Sequence, residues 1–343
     1  MNYQLKAKPI LVDPFGRTVN YLRISVTDRC NLRCVYCMAE DMTFLPREQL
    51  LNLEEIETIA SAFVRLGVNK IRLTGGEPMV RNGIVDLCKK LSALDGLNEL
   101  VMTTNGVLLD KYANELADAG VKRLNISLDS LQADRVKKIT RHGKLEDVLR
   151  GIEAARSAGF ERIKLNAVVL DGVNDDEVTE LAEFALSRDL DITFIEEMPL
   201  GEINSHSRSD TQVASHTLAQ RLAERYEFEP AKESTHTSNL ASNRGPSRYH
   251  QVKGYRGRIG FISPMTDNFC SSCNRVRLTS EGRLLLCLGN EHSLDLRNIV
   301  RNNSNTDTDL QAAIQEAITR KPEKHHFDAS KTDIIRFMNM TGG

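Results

Sequence analysis

The sequence predicts an α/β fold: an incomplete (β/α)6 barrel of the TIM type, followed by a C-terminal cap that contains β-strands. Residues 21–198 alternate between strand-like and helix-like segments in six units, the order typical of a parallel sheet covered by helices. The pattern Gly–apolar–any–basic–apolar–polar–apolar joins helix to strand at 67–73, 120–126 and 159–165. Its glycine suits the left-handed residue that follows a helix. In the first helical segment, Asn52 and Glu55 have the spacing of a reciprocal N-terminal cap.

One face of the predicted strands is polar and the other is apolar. Aligning the joins gives an apolar face that includes Ile71, Leu73, Leu124, Ile126, Ile163 and Leu165. The polar face includes Arg23, Ser25, Thr27, Arg72, Thr74, Asn125, Ser127, Lys164 and Asn166. A closed eight-stranded barrel packs its interior with aliphatic side chains. A polar lining therefore predicts an open barrel around a large polar ligand; the alternative is a set of satisfied polar groups in a core.

Composition indicates a globular enzyme. The chain has 343 residues, 41% hydrophobic and 27% charged, with a net charge of −2; this argues against a general nucleic-acid or membrane-surface binder. The first twenty residues lack the apolar run of a signal peptide, so we expect a cytoplasmic protein with reduced thiols. We expect a barrel over 1–226, a polar linker over 227–247 and a separate C-terminal region over 248–343.

Three cysteines in one short loop form the first candidate metal site. Cys30, Cys34 and Cys37 follow a strand-like run and are separated by three residues and then two. Three thiolates hold a metal centre from one side and leave a coordination position open for chemistry, whereas structural sites use four ligands. The alternative is a zinc site completed by a distant ligand, although zinc fingers usually pair their cysteines two residues apart.

A second cysteine triad lies in the C-terminal third. Cys270 and Cys273 are separated by two residues, and Cys287 follows on the next predicted hairpin, a spacing that indicates a metal site. The seventh cysteine, Cys88, lies in an apolar helix and is predicted to be a core residue.

Further polar residues fall where the predicted strands end, the position of the active site in α/β barrels. Residues 74–78 (TGGEP) contain two glycines that allow a close backbone approach. Arg275 and Arg277 alternate on one strand beside the second triad, and guanidinium groups so placed suit a phosphate chain. The alternative for these arginines is a solvated strand edge.

Five sequence segments together resemble those of the GTP 3′,8-cyclase family of molybdenum cofactor biosynthesis. The members of this family are lyases of the radical S-adenosylmethionine (SAM) superfamily. They are 27–38 (TDRCNLRCVYCM), 74–78 (TGGEP), 257–263 (GRIGFIS), 269–277 (FCSSCNRVR) and the Gly342–Gly343 end. The resemblance covers nearly the whole chain. It implies two [4Fe-4S] clusters as cofactors, one bound by Cys30, Cys34 and Cys37 and the other by Cys270, Cys273 and Cys287.

The resemblance also implies ligand contacts. The residues implied to contact SAM are Tyr36, Gly76, Ser127 and Met198. Those implied to hold GTP are Arg23, Arg72, Thr103, Lys164, Arg275, Val276 and Arg277. The Gly342–Gly343 tail would insert into the active site. Family members commonly carry an arginine where this chain has Thr193, so one phosphate contact is either missing or supplied from elsewhere.

In this family, reductive cleavage of SAM gives a 5′-deoxyadenosyl radical that takes the C3′ hydrogen of GTP. The C3′ radical closes onto guanine C8, giving (8S)-3′,8-cyclo-7,8-dihydroguanosine 5′-triphosphate. The resemblance implies that cyclic pyranopterin monophosphate synthase acts downstream. We also expect a reduced electron donor of the flavodoxin or ferredoxin type and a homodimer, although the sequence itself reveals neither.

Two other functions remain open at this point. A radical SAM peptide- or protein-modifying maturase would share the first triad, although such enzymes usually carry more C-terminal cysteines. An electron carrier or a zinc-stabilised binding module would use the same thiols without catalysis. GTP binding and SAM cleavage separate these possibilities.

Overall fold

A computed structural model describes residues 10–203, 205–229, 245–302, 306–328 and 334–342. Within these residues, eleven strands form one sheet in the order β11-β10-β9-β1-β2-β3-β4-β5-β6-β8-β7. The strands are β1 (Tyr21–Ser25), β2 (Lys70–Thr74), β3 (Glu99–Thr104), β4 (Arg123–Ser127), β5 (Arg162–Val169), β6 (Asp191–Glu196), β7 (Arg248–Gln251), β8 (Arg258–Ile262), β9 (Arg275–Leu278), β10 (Arg283–Leu285) and β11 (Ser293–Asp295).

Helices follow each of the first six strands, so the predicted α/β alternation is confirmed. The helices are α1 (Leu53–Arg65), α2 (Ile84–Ser92), α3 (Leu109–Asp118), α4 (Ala133–Thr140), α5 (Leu145–Ser157), α6 (Val178–Leu186), α7 (Arg208–Thr211), α8 (Ser215–Ala223), α9 (Leu296–Asn302), α10 (Thr306–Ile318) and α11 (Met338–Thr341). None in the described ranges is long and apolar enough to cross a bilayer.

The joins between helices and strands have the predicted conformation. Gly67, Gly120 and Gly159 have φ values of 93°, 86° and 78°, the left-handed region that glycine enters without a steric penalty. At the start of α1, the Asn52 side chain accepts from the Glu55 backbone N–H, and the Glu55 carboxylate accepts from the Asn52 N–H. This capping box satisfies two backbone donors of the first helical turn.

Strand register places the polar residues on one face, as predicted. Arg23 pairs with Arg72 across β1 and β2, and Asn125 pairs with Lys164 across β4 and β5. The other face is buried in the hydrophobic core and includes Ile71, Leu73, Leu124, Ile126, Ile163 and Leu165. The barrel wall thus packs against helices on the apolar side and leaves its polar side for a ligand.

The C-terminal strands extend the barrel sheet at both edges, a pairing that the sequence analysis did not predict. Strand β9 pairs in parallel with β1, and β8 pairs in parallel with β6. Strands β10 and β7 then add antiparallel neighbours to β9 and β8. Because β9 follows Cys273 directly, this pairing anchors the second cysteine triad to the first strand of the barrel. Most of the predicted linker 227–247 lies outside the described residues, which stop at 229 and resume at 245.

Candidate active site

The first triad, Cys30, Cys34 and Cys37, lies on the loop that follows β1. The Gly75–Gly76 turn at the end of β2 packs against the backbone at the start of this loop: a Cβ at either glycine would collide with it. The Gly76 N–H donates to the Thr27 carbonyl at 2.8 Å. These glycines therefore allow close backbone approach, here to the loop that carries the triad.

Tyr36 fixes the middle of the loop to the barrel. Its hydroxyl donates to Asp129 Oδ2 at 2.7 Å, and Asp129 Oδ1 accepts from the Val168 N–H at 2.9 Å. Burial raises the pKa of Asp129 to about 6, although the Tyr36 hydrogen bond opposes the shift. The Tyr36 hydroxyl therefore reaches the carboxylate that follows β4 and links the triad loop to β5.

A first cavity of about 170 Å³ adjoins this loop and is lined by all three cysteines. The predicted SAM contacts Tyr36, Gly76, Ser127 and Met198 all lie in its wall. They come from the triad loop and the ends of β2, β4 and β6. The structure thus brings together every residue predicted for this ligand.

The second triad, Cys270, Cys273 and Cys287, is assembled from the segment before β9 and the segment after β10. Arg17 supports it from the N-terminal region. Its Nη1 donates to the Cys270 carbonyl at 2.7 Å and to the Glu323 carbonyl at 2.6 Å. Asp13 pairs with its Nε at 2.5 Å.

Cationic groups surround Cys273. Lys321 Nζ donates to Cys273 Sγ at 3.5 Å. Burial raises the pKa of the Cys273 thiol, but the charges of Arg275 and Lys321 outweigh it and lower the pKa to about 7. The pKa of Cys287 is instead raised, chiefly by burial. Of these two thiols, Cys273 therefore loses its proton more readily.

A second cavity of about 440 Å³ is lined by the second triad and by the polar face of the barrel. Six of the seven predicted GTP contacts line it: Arg23, Arg72, Lys164, Arg275, Val276 and Arg277. Thr103 instead lines the first cavity, and its hydroxyl accepts from Arg72 Nη1 at 3.0 Å. In this structure Thr103 therefore orients an arginine of the second cavity.

The two cavities have part of their walls in common. Asn166, Ile195, Met198 and Met338 line both of them. The two triads therefore line adjacent cavities that share part of their walls.

The C-terminal segment lies against both cavities, because Met338 lines each of them. The Met338 N–H donates to the Cys37 carbonyl at 3.2 Å, and Asn339 Nδ2 donates to the Asp28 carbonyl at 2.8 Å. Arg277 donates to the carbonyls of Thr341 and Gly342. Gly342 thus contacts a predicted GTP residue, while Gly343 lies outside the described residues.

Thr193 is fully buried, where the resemblance would place an arginine. Its hydroxyl lies 3.2 Å from Ser247 Oγ. Two residues further on, the centre of the Tyr249 ring lies 6.0 Å from Lys164 Nζ and 4.1 Å from the Arg258 guanidinium group. Strand β7 and the residues before it thus contribute to the wall beside Thr193.

Each triad offers three thiols as donors, because all six triad cysteines are free. A zinc ion binds each thiolate at about 2.3 Å and needs all of its ligands to converge on one point. A [4Fe-4S] cluster instead accepts each thiolate on a different iron. In the described part of the chain no three His, Cys, Asp or Glu side chains converge enough to hold one ion.

Sequence reasoning missed several residues of the site. Tyr21 accepts from Arg72 Nε at 2.6 Å. Burial raises the pKa of Tyr21, but Arg72, Arg23 and Lys70 outweigh it and lower the pKa to about 7. Tyr21 lies in the predicted first strand, two residues before Arg23. This spacing places it on the same polar face and could have identified it as a site residue. Nothing local marked Arg17 or Lys321, whose partners are distant in sequence.

Two family models match the chain. The radical SAM superfamily model matches residues 24–185, and the model described as Molybdenum Cofactor Synthesis C matches residues 190–327. The first range contains the first triad, and the second range contains the second triad.

Curated relatives match over almost their whole length. GTP 3′,8-cyclase of Pseudomonas fluorescens is 56% identical over 336 residues, which cover 97% of this chain and 99% of that protein. The enzyme of the same name from Pseudomonas syringae is 56% identical, covering 98% of this chain and 100% of that one.

Among solved structures, Streptococcus suis SuiB bound to S-adenosylmethionine superposes with a TM-score of 0.59. The match covers 87% of this chain and 69% of SuiB, at 14% sequence identity. At this identity the comparison shows a common radical SAM α/β fold.

Proposed function

Because this chain belongs to the GTP 3′,8-cyclase family, we propose that its two triads act from opposite sides of one hollow, the first on SAM and the second on GTP. The chain is a radical SAM lyase. Its reaction is the conversion of GTP to (8S)-3′,8-cyclo-7,8-dihydroguanosine 5′-triphosphate, the first step of molybdenum cofactor biosynthesis. Membership of the radical SAM superfamily implies one [4Fe-4S] cluster and SAM as cofactors.

The common wall of the two cavities, formed by Asn166, Ile195, Met198 and Met338, carries this proposal. A radical made beside the first triad must reach its target without meeting water, so the two ligands need a common enclosed space. When bound, a cluster at the first triad supplies one electron, and one at the second triad supplies an open position for guanine.

The residues of the first cavity would hold SAM. Cys30, Cys34 and Cys37 would bind the cluster from one side. Backbone groups of the Gly75–Gly76 turn and the polar end of Ser127 lie in the cavity wall, where they can bind the polar groups of the amino-acid and ribose parts. Met198 lies in both cavities and would contact SAM at the boundary.

The residues of the second cavity would hold GTP. Arg23, Arg72, Lys164, Arg275 and Arg277 supply a cationic wall suited to a triphosphate. Burial and the neighbouring Arg275 lower the pKa of Arg277 to about 10, so this group remains charged at neutral pH. An anionic ligand would relieve the mutual repulsion of these groups, which supports the triphosphate assignment.

The remaining parts of the proposal concern cofactors, partners and organisation. We assign a second [4Fe-4S] cluster to Cys270, Cys273 and Cys287. A flavodoxin- or ferredoxin-type donor would supply electrons, cyclic pyranopterin monophosphate synthase would take the product, and a cytoplasmic homodimer is the expected form. The proposed division is 1–226 for the barrel, 227–247 for the linker and 248–343 for the auxiliary-cluster region.

Anaerobic turnover with GTP deuterated at C3′ tests the proposal. The full chain is reconstituted with iron and sulfide, then incubated with SAM, the labelled GTP and reductant. Deuterium should appear in 5′-deoxyadenosine together with cyclised nucleotide. Cys88→Ala, which removes a thiol remote from both cavities, is the matched control. Cleavage of SAM without transfer of deuterium from GTP would contradict the proposal and leave a maturase as the alternative.

A further inference from the structure

A buried lysine directs its ammonium group at the second triad. Lys321 is only 2% exposed, and its Nζ donates a hydrogen bond to Cys273 Sγ at 3.5 Å. Its charge also favours the thiolate of Cys287. A buried ammonium group needs an anionic partner. No carboxylate pairs with Lys321 in the part of the chain that the structure describes, so the triad sulfurs fill that role.

The position of Lys321 is enforced from two sides. Its backbone N–H donates to the Ile318 carbonyl at the end of α10, which fixes the start of the segment. Arg17 fixes the other end, because Nη2 donates to the Pro322 carbonyl at 2.6 Å while Nη1 donates to the Cys270 carbonyl at 2.7 Å. One guanidinium group therefore ties the residue after the lysine to the first cysteine of the triad.

Lys321 approaches the triad from the protein side and not from the substrate side. It is absent from the residues that line the second cavity, whereas Arg275 lines that cavity and contributes to the same thiolate. A ligand in the cavity can therefore engage Arg275 while leaving Lys321 in place. The charge of Lys321 acts on the triad whether or not a nucleotide is bound.

We propose that Lys321 is a resident counter-ion of the second triad, which donates a hydrogen bond to Cys273 and offsets negative charge of an iron–sulfur cluster held there. The inference rests on the proposed function, because it requires that cluster. Hydrogen bonds to sulfur and local charge set cluster reduction potentials. A fixed cation favours the more negative, reduced state, so Lys321 raises the potential. It is a positioning residue, because it acts through Cys273.

Lys321→Gln tests this role, with Lys321→Arg as the charge-conserving variant. Lys324, an exposed residue three positions further on, provides the matched control Lys324→Gln. All are made in the full chain carrying Cys34→Ser, so that the first triad lacks one ligand and the second cluster is observed alone. Potentiometric titration followed by electron paramagnetic resonance gives its midpoint potential, and iron and sulfide analysis gives its occupancy.

We expect Lys321→Gln to shift the midpoint potential to more negative values, with and without GTP. The midpoint potentials of Lys321→Arg and Lys324→Gln should remain close to that of the parent. Loss of iron in Lys321→Gln but not in Lys321→Arg would equally support a counter-ion. An unchanged potential in Lys321→Gln would overturn the inference, as would equal loss of iron in the glutamine and arginine variants, which would indicate a role in shape alone.

The same samples separate failure of this inference from failure of the proposed function. If the parent carrying Cys34→Ser holds no iron–sulfur cluster, the second cluster itself is absent and the proposed function falls with the inference. If the cluster is present and Lys321→Gln leaves its midpoint potential unchanged, only the inference about Lys321 is wrong.

Discussion

The two cysteine triads have the same ligand types but different electrostatic surroundings. The difference centres on Cys273, because burial raises the pKa of Cys287 as it does those of the first triad. In the first triad, burial and nearby thiols or carboxyl groups raise the pKa of Cys30 to about 11 and that of Cys37 to about 12. In the second triad, Arg275 and Lys321 outweigh burial and lower the pKa of Cys273 to about 7. The number of cysteines at a site therefore does not determine the pKa values of their thiols. The charged groups around the sulfurs determine them.

The difference matches the charge of the ligand proposed for each side. Buried carboxyl groups of Glu77 and Asp129 lie near the first triad, and burial raises the pKa of Glu77 to about 7 and that of Asp129 to about 6. SAM carries a sulfonium and an ammonium group, which such surroundings tolerate. The second triad adjoins a cationic wall, which suits the anionic phosphates of GTP.

The triads also differ in how they are assembled. The first lies within one loop that the Gly75–Gly76 turn supports. The second depends on Arg17, which is 253 residues from its partner Cys270 in sequence. Substitutions at residues far away in the sequence should therefore affect the second triad more than the first.

The largest expected effect comes from removing one ligand of each triad. Cys34→Ser should abolish SAM cleavage, because the first triad can no longer hold a complete cluster. Cys273→Ser should retain SAM cleavage and lose cyclised nucleotide. Chromatographic measurement of 5′-deoxyadenosine and of the nucleotide product checks both variants. Normal cyclisation by Cys273→Ser would show that the second triad is misassigned.

Arg17→Ala should affect the second triad selectively. The change leaves the buried Asp13 carboxylate without its partner, which costs about 3–5 kcal/mol for a broken buried pair. Iron bound at the second triad should fall while SAM cleavage is retained. Denaturant unfolding and iron analysis measure the two effects.

The control for Arg17 is Arg65→Ala, which removes an exposed pair with Asp307. Exposed pairs contribute little to stability, so this variant should resemble the parent. Equal loss of both cluster sites in Arg17→Ala would contradict the selective role.

Arg277→Ala should weaken GTP binding more than guanosine binding. Losing a charge-assisted contact to phosphate costs about 1.5–3 kcal/mol, or roughly 10- to 100-fold in affinity. Isothermal titration with each ligand measures the difference. Arg320→Ala is the control, because Arg320 is an exposed arginine of the C-terminal region. An equal loss of affinity for GTP and guanosine would exclude a phosphate role for Arg277.

The smallest expected effect is that of Tyr36→Phe in the first triad loop. The variant loses the hydrogen bond to Asp129, which is worth about 0.5–1.5 kcal/mol. The free energy of unfolding should fall by this amount, with iron at the second triad unchanged. A loss of iron at the second triad would show that the two sites are coupled more tightly than their separate supports indicate.

Local patterns in the sequence were sufficient to predict the barrel and the polar face that lines the second cavity. The Asn52–Glu55 cap and the glycine joins depend on neighbouring residues alone, and the structure has both. Alternation along each strand placed Arg72 and Lys164 on the polar face, where they line the second cavity. The resemblance supplied the cluster chemistry, and the cysteines themselves marked both sites.

The tertiary structure alone decided which distant segments meet. It paired β9 with β1 and β8 with β6, brought Arg17 and Lys321 to the second triad, and turned Thr103 toward Arg72. The periodicity of a strand determines which face its side chains occupy, but it does not select the neighbouring strand. That selection depends on the packing of the whole sheet. The same packing determines which charged groups lie around each cysteine triad.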